Sequence, residues 1–464
     1  MGKRLADLGI ALLAAIATGT LLCLALPLGE QSYLAWIMLI PLLLATREKG
    51  LLVGFLSGLA AIFWCAFLAT TGVFYSFKHD APAAWTYTAC GIFAASFSLF
   101  FGIYAEGKNH ERPVIWLGCL AVVLESLLLF QIPAHLALTQ YRNWLMMLIA
   151  SIGGVWMISF LVWSANIYLS REIKKRLPIA LAIVAASFVT SKMHPFGHEA
   201  ATGLTVGAAQ ITDGLDHELV AAHLDASQAK PAFVVWPEFA GMLFVFGDDT
   251  SKLKQISTKG APLITSFRDT AQPLPHNVAA MFFHGQESNR YEKRKLFGSE
   301  TKMHAPGNKP VEVPLVGQPG QVALNICYDS CFPAIIRESA NQPEVRVVAL
   351  PTIDPDSAHY FMAAMHAAYT PIRAAESGIA IVRADGNFGS MIVDERGGIV
   401  KEMSDKQGPM TAMIKGKRIW TLDRTFGDWF LYLSILFTLF HVATRLRDTQ
   451  EAKRAHTAQP TGAT

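Results

Sequence analysis

The chain has 464 residues, of which 52% are apolar and only 16% charged, against about 25% charged in an ordinary soluble domain, so a single soluble globule is excluded. A net charge of +3, with no basic run interleaved with exposed aromatics, gives no footprint for nucleic acid. Six cysteines in a chain this long exclude a disulfide-built scaffold. The charges are uneven: 20 Asp, Glu, Lys and Arg fall in residues 1–191 and 55 in the remaining 273. Two chemically different halves are therefore joined.

A bilayer core takes about 20 apolar residues per helix, and eight stretches are candidates: 5–27, 33–46, 51–74, 84–104, 114–132, 144–169, 177–191 and 429–444. The second, seventh and eighth are short, and Pro41 interrupts the second. Loop charges argue for keeping all eight, because Lys and Arg retained in short loops set orientation. One side carries Lys3, Arg4, Arg47, Lys49, Lys108, Arg112, Arg171, Lys174, Lys175, Arg176, Arg445, Arg447, Lys453 and Arg454, while short loops on the other hold only Lys78 and Arg142. Reading the first stretch as a cleaved signal peptide breaks this alternation. The expected layout is a polytopic helical domain over 1–191 with seven spans, an extracytoplasmic domain over 192–428, a last span at 429–444 and a cytoplasmic tail over 445–464. Both termini are cytoplasmic in this reading, and the polar tail reads as disordered. Glu125 sits in an apolar run, where an ionisable group is costly; pairing within the bundle and a role with substrate are both open.

From Gly203 onward short β-rich runs alternate with turns: 204–210, 232–236, 263–266, 278–283, 322–327, 345–350, 379–382 and 391–393, with a helical stretch at 358–377. Strands alternating with helices predict an α/β domain large enough for its own core. Three polar residues end or adjoin these runs. Glu238 follows Trp236-Pro237, Lys293 follows Tyr291-Glu292, and Cys327 closes the run Ala323-Leu324-Asn325-Ile326. Singly, they read as a surface carboxylate, a solvated basic face and a packed thiol. Together they make coherent chemistry: a carboxylate to take the thiol proton, an ammonium to hold charge and a thiolate to attack a carbonyl. Cys331 is too isolated for a zinc site and reads as structural.

The order Trp236-Pro237-Glu238, Tyr291-x-Lys293, Ile326-Cys327-Tyr328 resembles the nitrilase, or carbon-nitrogen hydrolase, superfamily. The eight-span layout is similar to its membrane branch, apolipoprotein N-acyltransferase. Glu125, Ile132-Pro133, Gln140, the run Ala150-Ser151-Ile152-Gly153-Gly154-Val155, Ser159 and Asn166 extend the likeness into the helical half. Phe332-Pro333, Arg337, His366, Arg373-Ala374-Ala375-Glu376 and Val382-Arg383-Ala384 extend it beyond the cysteine. The resemblance implies a nitrilase-like αββα sandwich, a Glu238–Lys293–Cys327 triad, a second carboxylate at Glu300, support from Tyr328 and Asp329, and no metal or other cofactor. It also implies a multi-pass protein of the bacterial inner membrane with a phospholipid acyl donor and a lipoprotein or other amine as acceptor. Departures cluster where substrates enter: Lys295-Leu296-Phe297-Gly298-Ser299-Glu300 lacks the family's Val-Pro pair, Asp329 replaces a glutamate, and Ile353-Asp354-Pro355-Asp356-Ser357 and Asp385-Gly386 replace other family segments. Some divergent relatives of the branch are associated with conjugal transfer. A membrane-tethered amidase and a non-catalytic scaffold of the same fold are the alternative readings.

Overall fold

The structure is a computed structural model that describes residues 2–70, 83–127, 135–193, 195–211, 216–245, 247–271, 274–298, 300–354, 360–403 and 407–457. Expectations placed on Lys78, Ile132-Pro133, Ser299, Pro355-Asp356-Ser357 and the tail beyond residue 457 lie outside these residues. Among the described residues the first half is helical: α1 (Gly2–Ala25), α2 (Ile40–Thr46), α3 (Leu51–Thr70), α4 (Ala83–Ala105), α5 (Val114–Ser126), α6 (Trp144–Arg171) and α7 (Ile173–Lys192).

Helix forms within each of the stretches expected to span, and among the described residues four helices are long and apolar enough to cross a membrane by length and composition: Ala6–Ala25, Leu51–Ala69, Trp144–Arg171 and Trp429–Glu451. The second stretch is a 3-10 turn, Ser32–Trp36, followed by α2. Pro41 sits in the first turn of α2, where its missing N–H costs nothing. The seventh begins with Lys174, Lys175 and Arg176 and contains Pro178, which dilute its apolar character. Close packing builds the bundle. At Gly58 in α3 an added Cβ would meet the Ser98 Cα of α4 at 2.8 Å, an approach small residues permit between apolar helices. Leu8, Leu12 and Leu13 of α1, Leu181 of α7 and Leu436 and Phe440 near the C-terminus are exposed around the outside, a belt suited to lipid rather than water.

The second half contains β1 (Leu204–Gln210), α8 (Asp216–Ser227), β2 (Val234–Val235), α9 (Ser251–Ile256), β3 (Leu263–Asp269), β4 (His276–Phe283), β5 (Gln286–Glu287), β6 (Tyr291–Glu292), α10 (Glu300–Met303), β7 (Val311–Pro314) and β8 (Gln321–Leu324). It continues with α11 (Pro333–Asn341), β9 (Val345–Thr352), α12 (Tyr360–Ser377), β10 (Ala380–Asp385), β11 (Ser390–Val393), β12 (Ile399–Met403), β13 (Gly408–Ile414), α13 (Leu422–Phe426) and α14 (Trp429–Thr457). One sheet runs β13-β1-β2-β3-β4-β5, with β6 also on β4, and the other runs β12-β11-β10-β9-β8-β7. The period-2 alternation of strand side chains sorts the core. Val206, Ala208 and Val235 meet Val347, Ala349 and Val382 between the sheets. Ala209, Val234 and Leu263 instead pack outward under α8 and α9. Val348, Leu350 and Ile381 pack under α11 and α12. The order is helix, sheet, sheet, helix, and α12 also packs on α6 of the helical half.

The run 232–236 keeps cross-strand hydrogen bonds along its length, Ala232 N–H to the Thr205 carbonyl, Val234 N–H to that of Pro262 and Trp236 N–H to that of Ile264, around the regular core Val234–Val235, and Pro237 ends it. Other expectations are corrected. The run 322–327 stops as a strand at Leu324, so Cys327 does not close a strand; it opens a 3-10 turn, Cys327–Cys331. The strands β5, β6, β7, β12 and β13 went unrecognised; β12 carries Lys401 and Glu402 at an exposed sheet edge, where no long apolar run marks it.

Candidate active site

Glu238 and Lys293 follow the ends of two different strands, Cys327 heads the 3-10 turn after a third, and Glu300 opens α10. Glu238 follows the Pro237 that stops β2, and its backbone N–H reaches across to the Thr352 carbonyl of β9 at 3.1 Å, fixing one sheet's end to the other's. Lys293 leaves β6 with its N–H on the Asn277 carbonyl at 2.8 Å. Cys327 heads its turn at φ 47°, a left-handed conformation that non-glycine residues adopt at a cost. That turn is held from several sides: Ser330 Oγ donates to the Cys327 carbonyl at 2.9 Å, and His366 Nε2 lies 3.2 Å from the same oxygen.

The structure brings Glu238, Lys293 and Glu300 into direct contact. Lys293 Nζ is 2.7 Å from Glu238 Oε1 and 2.6 Å from Glu300 Oε2, with Lys293 and Glu238 buried. Asn277 Nδ2 donates to both carboxylates, at 2.7 and 3.0 Å. Phe297 N–H adds a bond of 2.8 Å to Glu300, so the altered segment still anchors that carboxylate. Burial alone lowers a lysine's pKa, but the surrounding Glu238, Cys327 and Glu300 outweigh it and hold Lys293 above its usual range. The Cys327 thiol, whose Sγ lies 4.0 Å from the Ile353 carbonyl, is pushed the other way: burial first, then the nearby Glu238 charge, raise it well above an ordinary thiol, with Lys293 opposing. At rest the site therefore holds a neutral thiol and a cationic lysine paired with Glu238 and Glu300.

Asp329 ties the Lys293 loop to the cysteine turn. Its Oδ2 accepts from Tyr291 Oη at 2.8 Å and from Ile326 N–H at 3.0 Å, and its Oδ1 from Lys295 N–H at 2.8 Å. Burial pushes this carboxyl up to about 6 despite those donors. Tyr328 lies edge-on between Phe297 and Phe332, with ring centroids at 5.2 and 5.0 Å, forming an aromatic wall beside the thiol.

Behind the cysteine is a second buried network whose pairing the sequence did not reveal. His366 Nδ1 is 2.5 Å from Asp354 Oδ1, and Arg383 binds both Asp354 and Asp385. Asn387 Nδ2 donates to the Asp354 carbonyl at 2.7 Å. Asp354 lies in the segment that departs from the family pattern, and its twelve-residue separation from His366 carries no local signal. Asn277 was missed because it sits within an apolar strand; a polar side chain at that position was the available clue. Ligand-type atoms of Cys327, Asp354 and His366 lie within 4.8 Å of one another. The histidine nitrogen facing Asp354 is already bonded, however, and the Arg383 and Lys293 cations flank the group, so the arrangement suits a hydrogen-bonded hub rather than a divalent ion. Asp354 outweighs burial and raises His366 to about 10. Since that exceeds the ordinary 6.5, the histidine's own contribution to stability is fully present below about pH 6.5 and is lost as pH rises through about 10, while burial raises Asp354 so that the pair is also weakened on the acid side. Unfolding temperature is therefore expected to fall more steeply between pH 7 and 10.5 in the unaltered protein than in His366→Gln.

Glu125 proves to be paired. It accepts from Leu136 N–H, Ser159 Oγ and Trp163 Nε1 at 2.9, 2.7 and 2.9 Å, and His135 Nδ1 lies 3.3 Å away. These partners satisfy a carboxylate among apolar helices.

A buried cysteine facing a carboxylate–lysine pair on an αββα sandwich, attached to apolar helices, defines the class to which the comparisons also lead. Residues 200–419 match the carbon-nitrogen hydrolase family, and residues 18–168 match the apolipoprotein N-acyltransferase N-terminal domain. In tandem, helical half then α/β half, the two matches make the chain similar to the apolipoprotein N-acyltransferase-like membrane branch of the nitrilase superfamily. An apolipoprotein N-acyltransferase from Geobacter metallireducens is 26% identical, the match covering 83% of this chain and 86% of the relative. Two solved structures of a Nesterenkonia sp. amidase are each 22% identical, with TM-scores of 0.41 and 0.39, covering 49% and 45% of this chain and 94% and 92% of their own.

Proposed function

We propose that the protein is a membrane N-acyltransferase working through a thioester on Cys327. The observation that carries this reading is the buried Lys293 held between Glu238 and Glu300 beside a protonated thiol. Glu238 takes the thiol proton as Cys327 Sγ attacks the ester carbonyl of a phospholipid. Lys293 and the Tyr328 amide stabilise the oxyanion. The ester C–O bond breaks, Glu238 returns the proton to the departing lysophospholipid oxygen, and the acyl group remains on sulfur. An amine, such as the N-terminal cysteine of a diacylglyceryl lipoprotein, then attacks the thioester. Glu238 accepts a proton from it, and the thiol is restored as the amide forms. Glu300 keeps Lys293 in place, and Tyr328 and Asp329 hold the turn.

The same reading places eight spans in the bacterial inner membrane, with the sandwich and the junction 192–428 on the outer side. Contacts support this polarity. Lys49 pairs with Asp7 at 2.8 Å, Arg47 bonds the Ser170 carbonyl and Arg171 the Arg112 carbonyl, gathering the basic loops at one end of the bundle. Arg142 bonds Glu402 of the sandwich at 2.8 and 3.0 Å and lies 3.5 Å from Glu30, so the sandwich adjoins the basic-poor end. An impermeant thiol reagent on intact spheroplasts is expected to label a cysteine introduced near Gly307, at the exposed Asn308, and to spare one near Lys108 or Arg454; the opposite pattern contradicts the orientation. The reaction is tested with purified protein and phosphatidylethanolamine. One equivalent of lysophospholipid is expected at first, with continued turnover only when a diacylglyceryl-cysteine peptide is added. Steady release of free fatty acid without the peptide would mark a hydrolase instead.

A further inference from the structure

The helix α6 is broken in its middle. Gly153 and Gly154 leave helical geometry, with Gly154 at φ 64°, ψ −165°. A Cβ on Gly154 would lie 2.6 Å from Asp423 Oδ1, so both the conformation and the space require glycine. The break frees backbone groups that would otherwise bond within the helix, and the α/β half takes them up. Val155 N–H donates to Glu376 Oε1 of α12 at 2.7 Å, and the Ile152 carbonyl accepts from Trp429 Nε1 of α14 at 2.8 Å.

Glu376 also pairs with Arg373 one turn earlier on α12. Arg373 is fully buried and reaches the turn that carries the cysteine: its Nε donates to the Ser330 carbonyl at 2.9 Å and its Nη2 to the Cys331 carbonyl at 3.3 Å. On the other side of Glu376 lies Asp423, bonded to Arg337 at 3.2 Å, with Arg337 also on Asp428 at 3.1 Å at the start of α14. Burial and then the Glu376 charge push the Asp423 carboxyl up to about 8, so the cluster holds its carboxylates together partly by retaining a proton.

We propose that Glu376 and Arg373 are positioning residues that couple the break in the membrane helix α6 to the strained turn presenting Cys327. This rests on the assignment of Cys327 as the nucleophile. A left-handed residue persists only where its surroundings over-determine it, and Arg373 is one of the holds on this turn. Arg373 is in turn oriented by the carboxylate that caps the half-helix beginning at Val155. The path runs Val155 N–H, Glu376 carboxylate, Arg373 guanidinium, Ser330 and Cys331 carbonyls, Cys327. A shift of the membrane helix at Gly154, such as packing against an entering lipid would cause, then reaches the nucleophile through four hydrogen-bonded groups.

The test compares the unaltered protein with Glu376→Gln, which still offers Val155 an oxygen but no charge to Arg373, and with Gly154→Ala, which removes no charged group of the path but presses a methyl against Asp423 and Glu376 at the break. The reading is the rate at which iodoacetamide alkylates Cys327, per folded molecule, in detergent-purified full-length protein. The rate of thioester formation from phosphatidylethanolamine is measured alongside. Both variants are expected to slow alkylation, by up to about a hundredfold, the scale of a misplacement near 1 Å, and to lower kcat for thioester formation in parallel while KM for the lipid stays unchanged. Lower yield or melting temperature with an unchanged alkylation rate per folded molecule, in either variant, would overturn the coupling and leave the cluster a structural clamp. Alkylation needs no acyl donor, so absence of thioester in the unaltered protein would count against the acyltransferase reading while leaving this comparison decisive for the coupling.

Discussion

Cys327→Ala and Cys327→Ser are both expected to abolish acyl transfer, with turnover reduced by about 10⁴- to 10⁶-fold, the scale seen when a covalent nucleophile is removed. The serine variant is the sharper of the two, because it keeps a hydroxyl where the thiol stood. A hydroxyl ionises far less readily than a thiol, and here even the thiol is held protonated by burial and by Glu238, so the available base falls well short of what serine needs. Cys331→Ala is expected to leave turnover near its original value. Cys331 is buried at the end of the same turn, but the contacts its turn makes with Arg373 run through the backbone carbonyl, which alanine retains. Turnover assays on the three variants decide the point. An essential Cys331 with a dispensable Cys327 would move the nucleophile four residues and break the connection with Glu238.

Lys293→Met is expected to be damaging twice over. Turnover should fall by about 10²- to 10³-fold through loss of an oxyanion donor. Stability should fall by about 3–5 kcal/mol, the cost of removing one partner from a buried ion pair, because Glu238 and Glu300 would then face each other with Asn277 between them. Glu238→Gln separates these effects. It preserves shape and leaves Lys293 paired with Glu300, so its unfolding temperature should change much less. Its turnover should still drop by about 10²- to 10⁴-fold, since an amide cannot take the thiol proton. If Lys293→Met unfolded at the same temperature as the unaltered protein, the pair would not be buried as described; normal turnover by it would remove lysine from the mechanism.

Much of the architecture was legible because it rests on burial. The run at residues 204–210 is apolar enough to read as a strand in isolation, and the structure places β1 over the same residues. Strand 345–350 was found but continues to Thr352; the added residues turn polar where the chain reaches the site, so hydrophobicity no longer marks them. The edge strand β12 was missed for the converse reason, since exposed residues such as Lys401 and Glu402 look like loop. Spans were harder than strands. A helix in a bundle can be short where Pro41 follows a 3-10 turn, and the Gly153–Gly154 break inside α6 is silent in hydropathy because both residues are apolar enough to pass as helix.

The candidate site was partly legible from residue types at strand ends and, beyond that, from family likeness. The contacts among Glu238, Lys293 and Glu300 depend on Asn277, on a strand pairing and on the segment before α10, none of which spacing alone encodes. The Asp354–His366–Arg383 network joins a strand end, a helix and a neighbouring strand. Its members are conventional buried polar residues individually, and their meaning appears only when the sheets are packed.

The most direct test of the central claim is intact and peptide-level mass spectrometry of the purified protein after incubation with phosphatidylethanolamine of one defined acyl chain. A single added acyl mass is expected on the peptide containing Cys327, labile to hydroxylamine as a thioester is, absent in Cys327→Ala and discharged on adding a diacylglyceryl-cysteine peptide. A Cys327 that stays unmodified under these conditions while the lipid remains intact, or an acyl group found on another residue, would contradict the account.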